Sequence, residues 1–483
     1  MNTVDLLREL RALGIRIRVE GDQLAVKAPA GALTPELAAR LRDHKAEILA
    51  FLRDAEFAPG GESASESLKG LADPASPPVS PDQRKEWHLQ RLDPESSVYN
   101  AAGAFRLRGP LDTSALRTAI QAMVDRHAVL RSRFPAVNGE PVLVIEDEVR
   151  VEIPETDLSA VPEEEREGAM RAFLEEAADE ILDLERGPPF LARLARLGPE
   201  DHAFFFMAHS VVWDGWCFDL LLREMTAHYE ACLDGRSDAL PPLPIQYPDY
   251  AAWQKLREER GDFKPHLDFW RRQLKGPIPH LGLPTDRPRK AESDYRGARV
   301  WSKVEKRILD GLRALARAEG ATLYMVLLAS LDVLLHRYTG RADFLVSSPL
   351  QGRTHPELED LLGAFTNTLF FRARVESGES FRTLLRNVKE TCLEAVQHQE
   401  APSDQVIQIM DEQGLGRAPY EVIFVFQQTA ARPTRMGPVS VHSISRGTRS
   451  VPVDLLMWAR EYDDYMDGGF DYRTSLFDEE RME

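Results

Sequence analysis

The strongest constraint on this chain is an uninterrupted apolar run, Ala203-Phe204-Phe205-Phe206-Met207-Ala208, that ends abruptly in His209-Ser210-Val211-Val212-Trp213-Asp214-Gly215. Side chains along a strand point alternately to opposite faces. A strand with no polar residue on either face is therefore predicted to be covered on both sides, which requires a layered fold with helices packed on sheets. The polar cluster at its end, closed by Asp-Gly, is the kind of place where a rigid strand presents reactive side chains.

At 483 residues the chain is long enough for two or three domains. Its apolar content of 43% and charged content of 29% fit a soluble globular protein. No apolar run approaches the roughly 18 residues needed to cross a bilayer. Met1-Asn2-Thr3-Val4-Asp5 has no basic region leading into an apolar core, so no signal peptide is expected. Cys217, Cys232 and Cys392 are scattered, which argues against a disulfide framework or a metal site and for a reducing compartment, with the cytoplasm expected. A net charge of -18 disfavours nucleic acid as a partner, and no membrane is implied. Residues 1–53 carry nine Lys/Arg and seven Asp/Glu, a net +2, leaving -20 on the remainder. A slightly basic front piece on an acidic body marks a separate recognition module.

Leu6, Leu7, Leu10 and Leu13 repeat at helical spacing before Gly14, which predicts a helix over 3–13. Ile15-Arg16-Ile17-Arg18-Val19 alternates, Gly21-Asp22 turns the chain, and Leu24-Ala25-Val26 returns. Thr34-Pro35-Glu36 is a helix start with a capping Thr and Pro at the first position, so a second helix is expected to run to about residue 52. Residues 1–53 thus form a small helix–hairpin–helix unit, near the lower size limit for independent folding. Residues 54–79, with Pro59-Gly60-Gly61 and Pro74-Ala75-Ser76-Pro77-Pro78, read as a flexible linker. Gly60-Gly61-Glu62-Ser63 lacks a preceding Leu and a following helix and is not read as a phosphopantetheine attachment site.

From Ser80 onward strands and helices alternate. Helices are expected over 113–127, 163–182, 306–319, 322–338 and 381–397. Strands are expected over 105–107, 142–145, 190–197, 203–208, 344–348, 369–375 and 420–426. The simplest division is two roughly equal α/β lobes, 80–255 and 256–483.

Residues 209–215 resemble the His-His-x-x-x-Asp-Gly signature of condensation domains of nonribosomal peptide synthetases, and the His-x-x-x-Asp core of chloramphenicol-acetyltransferase-like acyltransferases. Further short matches follow in the family's order. Ser80-Pro81-Asp82-Gln83-Arg84-Lys85-Glu86-Trp87 is similar to the opening motif, with Asp82 and Lys85 as departures. Arg126-His127-Ala128-Val129-Leu130-Arg131-Ser132-Arg133-Phe134 is similar to the second, and Tyr247-Pro248-Asp249-Tyr250-Ala251-Ala252-Trp253-Gln254 to the fourth. Leu362-Gly363-Ala364-Phe365-Thr366-Asn367-Thr368 and His398-Gln399-Glu400-Ala401-Pro402 are similar to the fifth and sixth. Residues 1–53 resemble the N-terminal docking domain of hybrid polyketide–peptide synthetases.

This resemblance implies two chloramphenicol-acetyltransferase-like lobes in a V with a tunnel between them. Donor and acceptor carrier proteins would approach from opposite faces, and the acceptor aminoacyl amine would attack the donor thioester. It implies no metal and no cofactor of the chain's own; phosphopantetheine arms enter as part of the substrates. The docking hairpin would capture the C-terminal tail of an upstream synthetase subunit, and strand addition to a hairpin edge is an established mode of peptide binding. The site residues implied are His209, Ser210, Asp214 and Gly215, with Trp213, Trp216, Asn367 and Thr368 along the substrate tunnel. Asp214 is expected to form a structural salt bridge across the lobes, with Arg353 as first candidate and Arg296 as second. Gly215 is expected to permit the close turn after Asp214. Trp253 and Phe365 are read as core residues and His398 as structural. Arg126, Arg131 and Arg133 stay open between a functional cluster and a solvated, ion-paired helix end.

The family's reacting His stands where this chain has Ser210. A hydroxyl cannot accept a proton near neutral pH as an imidazole does. His209 is expected to point the other way across the strand pleat. Four readings stay open: a condensation domain with weakened chemistry, a non-catalytic scaffold that binds carriers or recruits a tailoring enzyme, an introduced substitution silencing a normal enzyme, or a free-standing CoA-dependent acyltransferase. The C-terminal residues 476–483 resemble the start of the family's last helix, so an excerpt of a longer polypeptide is expected.

Overall fold

In the computed structural model, the apolar run lies on the strand Asp201–His209, and both its faces are covered. Phe204, Phe206 and Ala208 point into one buried cluster, while Ala203, Phe205 and Met207 point into another on the opposite side. The first cluster is built with the helices Thr113–Arg126 and Cys217–Leu233, the second with Glu163–Ala178. That double cover is why the run carries no polar residue. The structure describes residues 16–20, 23–27, 33–43, 45, 67–73, 75–236, 239–289, 294–416, 421–428, 432–444, 450–462 and 464–483.

Asp201–His209 pairs antiparallel with Asn100–Arg108 on one side and Phe190–Gly198 on the other. Its sheet has six strands, running from Arg435–Met436 through Val439–Ser443, Asn100–Arg108, Asp201–His209 and Phe190–Gly198 to Glu155–Asp157. A second six-stranded sheet runs Gly297–Glu305, Tyr465–Arg473, Leu455–Glu461, Val422–Gln428, Asp343–Leu350, Asn367–Arg374. It is mixed: Val422–Gln428 lies parallel to both Asp343–Leu350 and Leu455–Glu461, and the other pairs are antiparallel. Helices Leu323–Thr339 and Phe381–Gln397 pack on it to form the second core.

Local chemistry explains the helix starts. Ser80 and Gln83 form a reciprocal capping box at Pro81–Leu92. Asp112 accepts hydrogen bonds from the N–H groups of Ser114 and Ala115 to open Thr113–Arg126. Thr322 caps Leu323–Thr339, which ends at Gly340 in the left-handed region. No single described helix is long and apolar enough to cross a membrane. One bent pair, Lys306–Ala318 with Leu323–Thr339, passes on length and composition, and Leu323, Met325, Val326, Leu328, Leu331 and Leu335 of the second helix are buried in the second core.

Three expectations change. The boundary at residue 255 is crossed by the chain: Val439–Ser443 returns to pair with Asn100–Arg108 in the first sheet, Ser440 opposite Arg108. Met436, Val439 and Val441 fill the first core from there. The linker is not loose along its whole length. Leu68 is fully buried in the first core, its N–H donates to the Glu357 carboxylate, and the Ala72 N–H donates to Asp249. The strand expected over 142–145 is reduced to Val144–Ile145.

At the front, Arg16–Glu20 and Gln23–Lys27 form the expected antiparallel hairpin, Ile17 opposite Val26. The second helix is described as Pro35–Asp43. The helix expected over 3–13 lies outside the described residues.

Candidate active site

The strand Asp201–His209 delivers its last residue into a closed set of partners. His209 is buried, and its backbone N–H donates to the Pro189 carbonyl. Nδ1 accepts a hydrogen bond from the Val211 N–H at 3.0 Å, which assigns the ring proton to Nε2, 3.0 Å from Gln90 Oε1. Burial pushes the imidazole down to about 4, with the Glu86 carboxylate acting weakly in the opposite sense. Both ring nitrogens are occupied and the ring is neutral, so His209 holds the strand end in place.

Ser210 reaches the same helix as His209, one turn earlier, at Glu86 where His209 meets Gln90. Its N–H donates to the Tyr99 carbonyl at 2.8 Å, and its hydroxyl donates to Glu86 Oε2 at 2.6 Å. Glu86 lies on Pro81–Leu92, 124 residues away in sequence. Its other oxygen, Oε1, is 3.3 Å from Lys85 Nζ, and Lys85 also contacts Asp82 at 3.3 Å. Burial pulls the Lys85 ammonium down, but Asp82 and Glu86 together raise it above its ordinary value. Burial raises Asp82, against the pull of Lys85.

Asp214 sits in the turn and meets Arg353 from the far half of the chain, Oδ2 to Nη1 at 2.7 Å, both side chains almost fully buried. Asp214 Oδ2 also accepts the Phe365 N–H, and Oδ1 accepts the N–H groups of Trp216 and Cys217. Arg353 donates to the Leu361 carbonyl and lies over the Phe365 ring at 4.4 Å. Arg296, the second candidate for this bridge, is exposed and pairs with its neighbour Asp294 at 2.7 Å.

The other expected site residues take the following places. Trp213 is a core side chain, 2% exposed and packed between Phe206 and Phe218, because the residues after the strand fold back into the first core. Trp216 is half-buried against that same core. Asn367 Nδ2 donates to the carbonyls of Gln399 and Ala401, tying the second sheet to the loop at 398–402. Thr368 lies in the ladder opposite Pro349. Gly215 is outside the left-handed region, and a Cβ there would meet only Gln427 Nε2 at 3.9 Å, so the turn does not demand glycine. Glycine is needed at Gly352 instead, with φ +63° and a Cβ position 1.7 Å from the Phe365 carbonyl oxygen.

Trp253 and Phe365 are buried, as expected of core residues. His398 stacks on Phe269 at 4.1 Å and contacts His266. The arginine cluster resolves into ion pairs and backbone contacts. Arg126 meets Glu224, Arg133 meets Glu146, and Arg131 caps the Glu146 carbonyl. His127 is fully buried against Glu224 at 2.8 Å. A cavity of about 40 Å³ lies where Asp82 and Arg257 approach Gly352, Phe365, Asn367 and Glu400. It has room for a few water molecules at roughly 10–15 Å³ each. Among the described residues no cluster of three or more His, Cys, Asp or Glu side chains is placed to hold a metal ion.

Glu86 is the site residue that sequence reasoning missed. It sits in the opening motif beside the two departures, Asp82 and Lys85, and all three join Ser210 in one chain of polar contacts.

A two-half mixed α/β fold with an Asp–Arg bridge under a His-Ser-x-x-x-Asp-Gly turn places the chain among the condensation-domain folds. The family model described as Condensation domain matches residues 75–483, and that described as TubC N-terminal docking domain matches residues 4–54. The chain belongs to the condensation-domain family and carries a docking domain of the TubC N-terminal type. A linear gramicidin synthase protein of Brevibacillus parabrevis is 35% identical over 405 residues, covering 83% of this chain and 5% of that protein. The chain therefore spans a small part of such relatives. Among solved structures, the X-domain from teicoplanin biosynthesis superposes with a TM-score of 0.77 at 26% identity, over 86% of this chain and 93% of that one. The EpoB cyclization-docking bidomain from Sorangium cellulosum shares the fold over 99% of this chain and 95% of its own, with a TM-score of 0.72 at 21% identity.

Proposed function

We propose that this chain joins a donor acyl or peptidyl thioester to the amine of an acceptor aminoacyl group, both carried on phosphopantetheine arms of carrier proteins, at a rate lowered by Ser210. The observation that carries this reading is the intact Asp214–Arg353 bridge, which holds the turn after the signature strand against the other half of the chain. No metal or resident cofactor is required, because a thioester is already an activated acyl donor.

Ser210 weakens the chemistry without abolishing it. Loss of a general base typically costs about 10²–10⁴-fold. An α-amine has a reference pKa of about 7.7–8.0, so part of the acceptor is neutral at pH 7 without help. Holding amine and thioester together supplies much of the remaining acceleration. His209 does not take over, since both ring nitrogens are engaged.

Residues 1–53 act as the docking domain and 54–79 as its connection to the two halves, 80–255 and 256–483. The hairpin Arg16–Glu20 and Gln23–Lys27 would add a strand from an acidic C-terminal tail of an upstream synthetase subunit. Deletion of 1–53 that left affinity for every candidate upstream tail unchanged would remove the docking role.

The test of the reaction is single-turnover condensation with loaded donor and acceptor carriers, read by mass spectrometry of the acceptor carrier. Ser210→His is expected to raise the rate about 10²-fold or more. If wild type and Ser210→His are both inert with carriers bound, the condensation reading fails and a scaffold reading replaces it.

A further inference from the structure

We propose that Glu86 is the proton acceptor of this site and that the Ser210 hydroxyl relays to it the proton shed by the attacking amine. The inference rests on the condensation reading and deepens it.

The geometry is directional. The Ser210 hydroxyl donates to Glu86 Oε2 at 2.6 Å, the usual distance for a hydroxyl on a carboxylate. A serine oxygen keeps its lone pairs while it donates, so it can receive one proton as it gives up another. Glu86 is itself fixed, because Lys85 holds Oε1 at 3.3 Å and leans on Asp82. Glu86 is 17% exposed and Ser210 is partly exposed, so the pair is held yet open to a partner.

The other candidate acceptors at the turn are taken. His209 has its Nδ1 on the Val211 N–H and its Nε2 at Gln90. Asp214 is saturated by Arg353 and three backbone N–H groups. The positions where the chain departs from its family motifs, Asp82, Lys85 and Ser210, would be unrelated losses if the site had simply decayed. Instead Ser210 and Lys85 both contact the Glu86 carboxylate, and Asp82 contacts Lys85.

The step balances. The amine nitrogen attacks the thioester carbonyl carbon, the C–N bond forms, and the C–S bond breaks with its electron pair leaving on sulfur. The nitrogen's proton passes to Ser210 Oγ while the hydroxyl proton passes to Glu86 Oε2. Glu86 then returns a proton to the thiolate, leaving an amide, a thiol and the original carboxylate.

The experiment is single-turnover condensation by the full chain with two pools of excised carrier domains. One is loaded with proteinogenic aminoacyl and straight-chain fatty acyl donors, the other with proteinogenic aminoacyl acceptors. Glu86→Gln and Ser210→Ala are each expected to lower the rate constant at saturating acceptor by about 10²-fold, with the half-saturating acceptor concentration unchanged. Glu86→Asp, which keeps the carboxylate, is expected to stay within about tenfold of wild type. The double variant Ser210→Ala, Glu86→Gln should fall no further than the worse single, because the two act as a unit. Wild-type speed in Glu86→Gln, a change in half-saturation alone, or multiplicative losses in the double variant would each overturn the relay. If Glu86→Gln fails to fold, Ser210→Ala carries the same rate test. Activity in Ser210→His but none in wild type would sink the relay and keep the condensation reading. Inertness of both would sink the two together.

Discussion

Asp214 and Arg353 lie 139 residues apart in sequence and meet at 2.7 Å, joining the turn after the signature strand to the loop after Asp343–Leu350. Removing one member leaves the other charged and buried, a loss of about 3–5 kcal/mol. Asp214→Ala is therefore expected to lower the thermal midpoint clearly, and the paired change Asp214→Leu, Arg353→Met to recover much of that loss. Differential scanning calorimetry reads both. A midpoint for Asp214→Ala equal to wild type would show that the bridge does not hold the halves.

Gly352, one residue before that arginine, is expected to be intolerant of any side chain. Its φ of +63° disfavours L residues, and a Cβ would sit 1.7 Å from the Phe365 carbonyl oxygen, a backbone atom that cannot rotate away. Because Phe365 lies under Arg353 and donates its N–H to Asp214, Gly352→Ala should disturb the bridge as well. The expected result is insoluble protein or a midpoint lower than that of Asp214→Ala. A soluble variant with the wild-type midpoint would contradict this.

Local chemistry made much of this legible. The apolar run 203–208 demanded cover on both faces and has it, and Thr34, Asp112 and Thr322 all stand at helix starts. The bridge to Arg353 was recoverable only through the family resemblance, since no periodicity links positions so far apart. What stayed hidden is long-range. Nothing local in Val439–Ser443 says that it crosses to the first sheet. Leu68 looked like linker because one apolar residue among Gly, Ser and Pro carries no pattern, yet it fills a core position. Trp213 was assigned to the tunnel by the family resemblance, and nothing local shows that the chain turns back into the core after His209 and packs Trp213 against Phe206. Glu86 resembled one more charge on a polar helix, and only the fold places it against Ser210.

His209 is expected to remain neutral well below the pH at which an exposed imidazole protonates. Burial brings it to about 4 from 6.5. The unfolded chain then binds more protons than the folded one between those values, so this residue makes stability fall as pH drops from about 6.5 toward 4. Nitrogen-15 histidine spectra at pH 5.5 should show the His209 ring in the neutral form with the proton on Nε2. An imidazolium signal for His209 at that pH would refute the assignment and reopen it as a proton carrier.

Asp332 makes the opposite contribution. It is buried on Leu323–Thr339 within the second core, and its Oδ1 has no hydrogen-bond partner among the described residues. Burial alone pushes this carboxyl from 3.8 up to about 8. Between those values the folded chain holds a proton that the unfolded chain has released, so stability falls with rising pH by about 1.4 kcal/mol per unit from this group. Asp332→Leu removes the titration and fills the site with carbon. The variant is expected to melt higher than wild type at pH 8, to melt closer to it at pH 5, and to show a flatter midpoint against pH between 5 and 8. Parallel curves for the two proteins across that range would mean that Asp332 is ionised in the fold and has a partner of opposite charge.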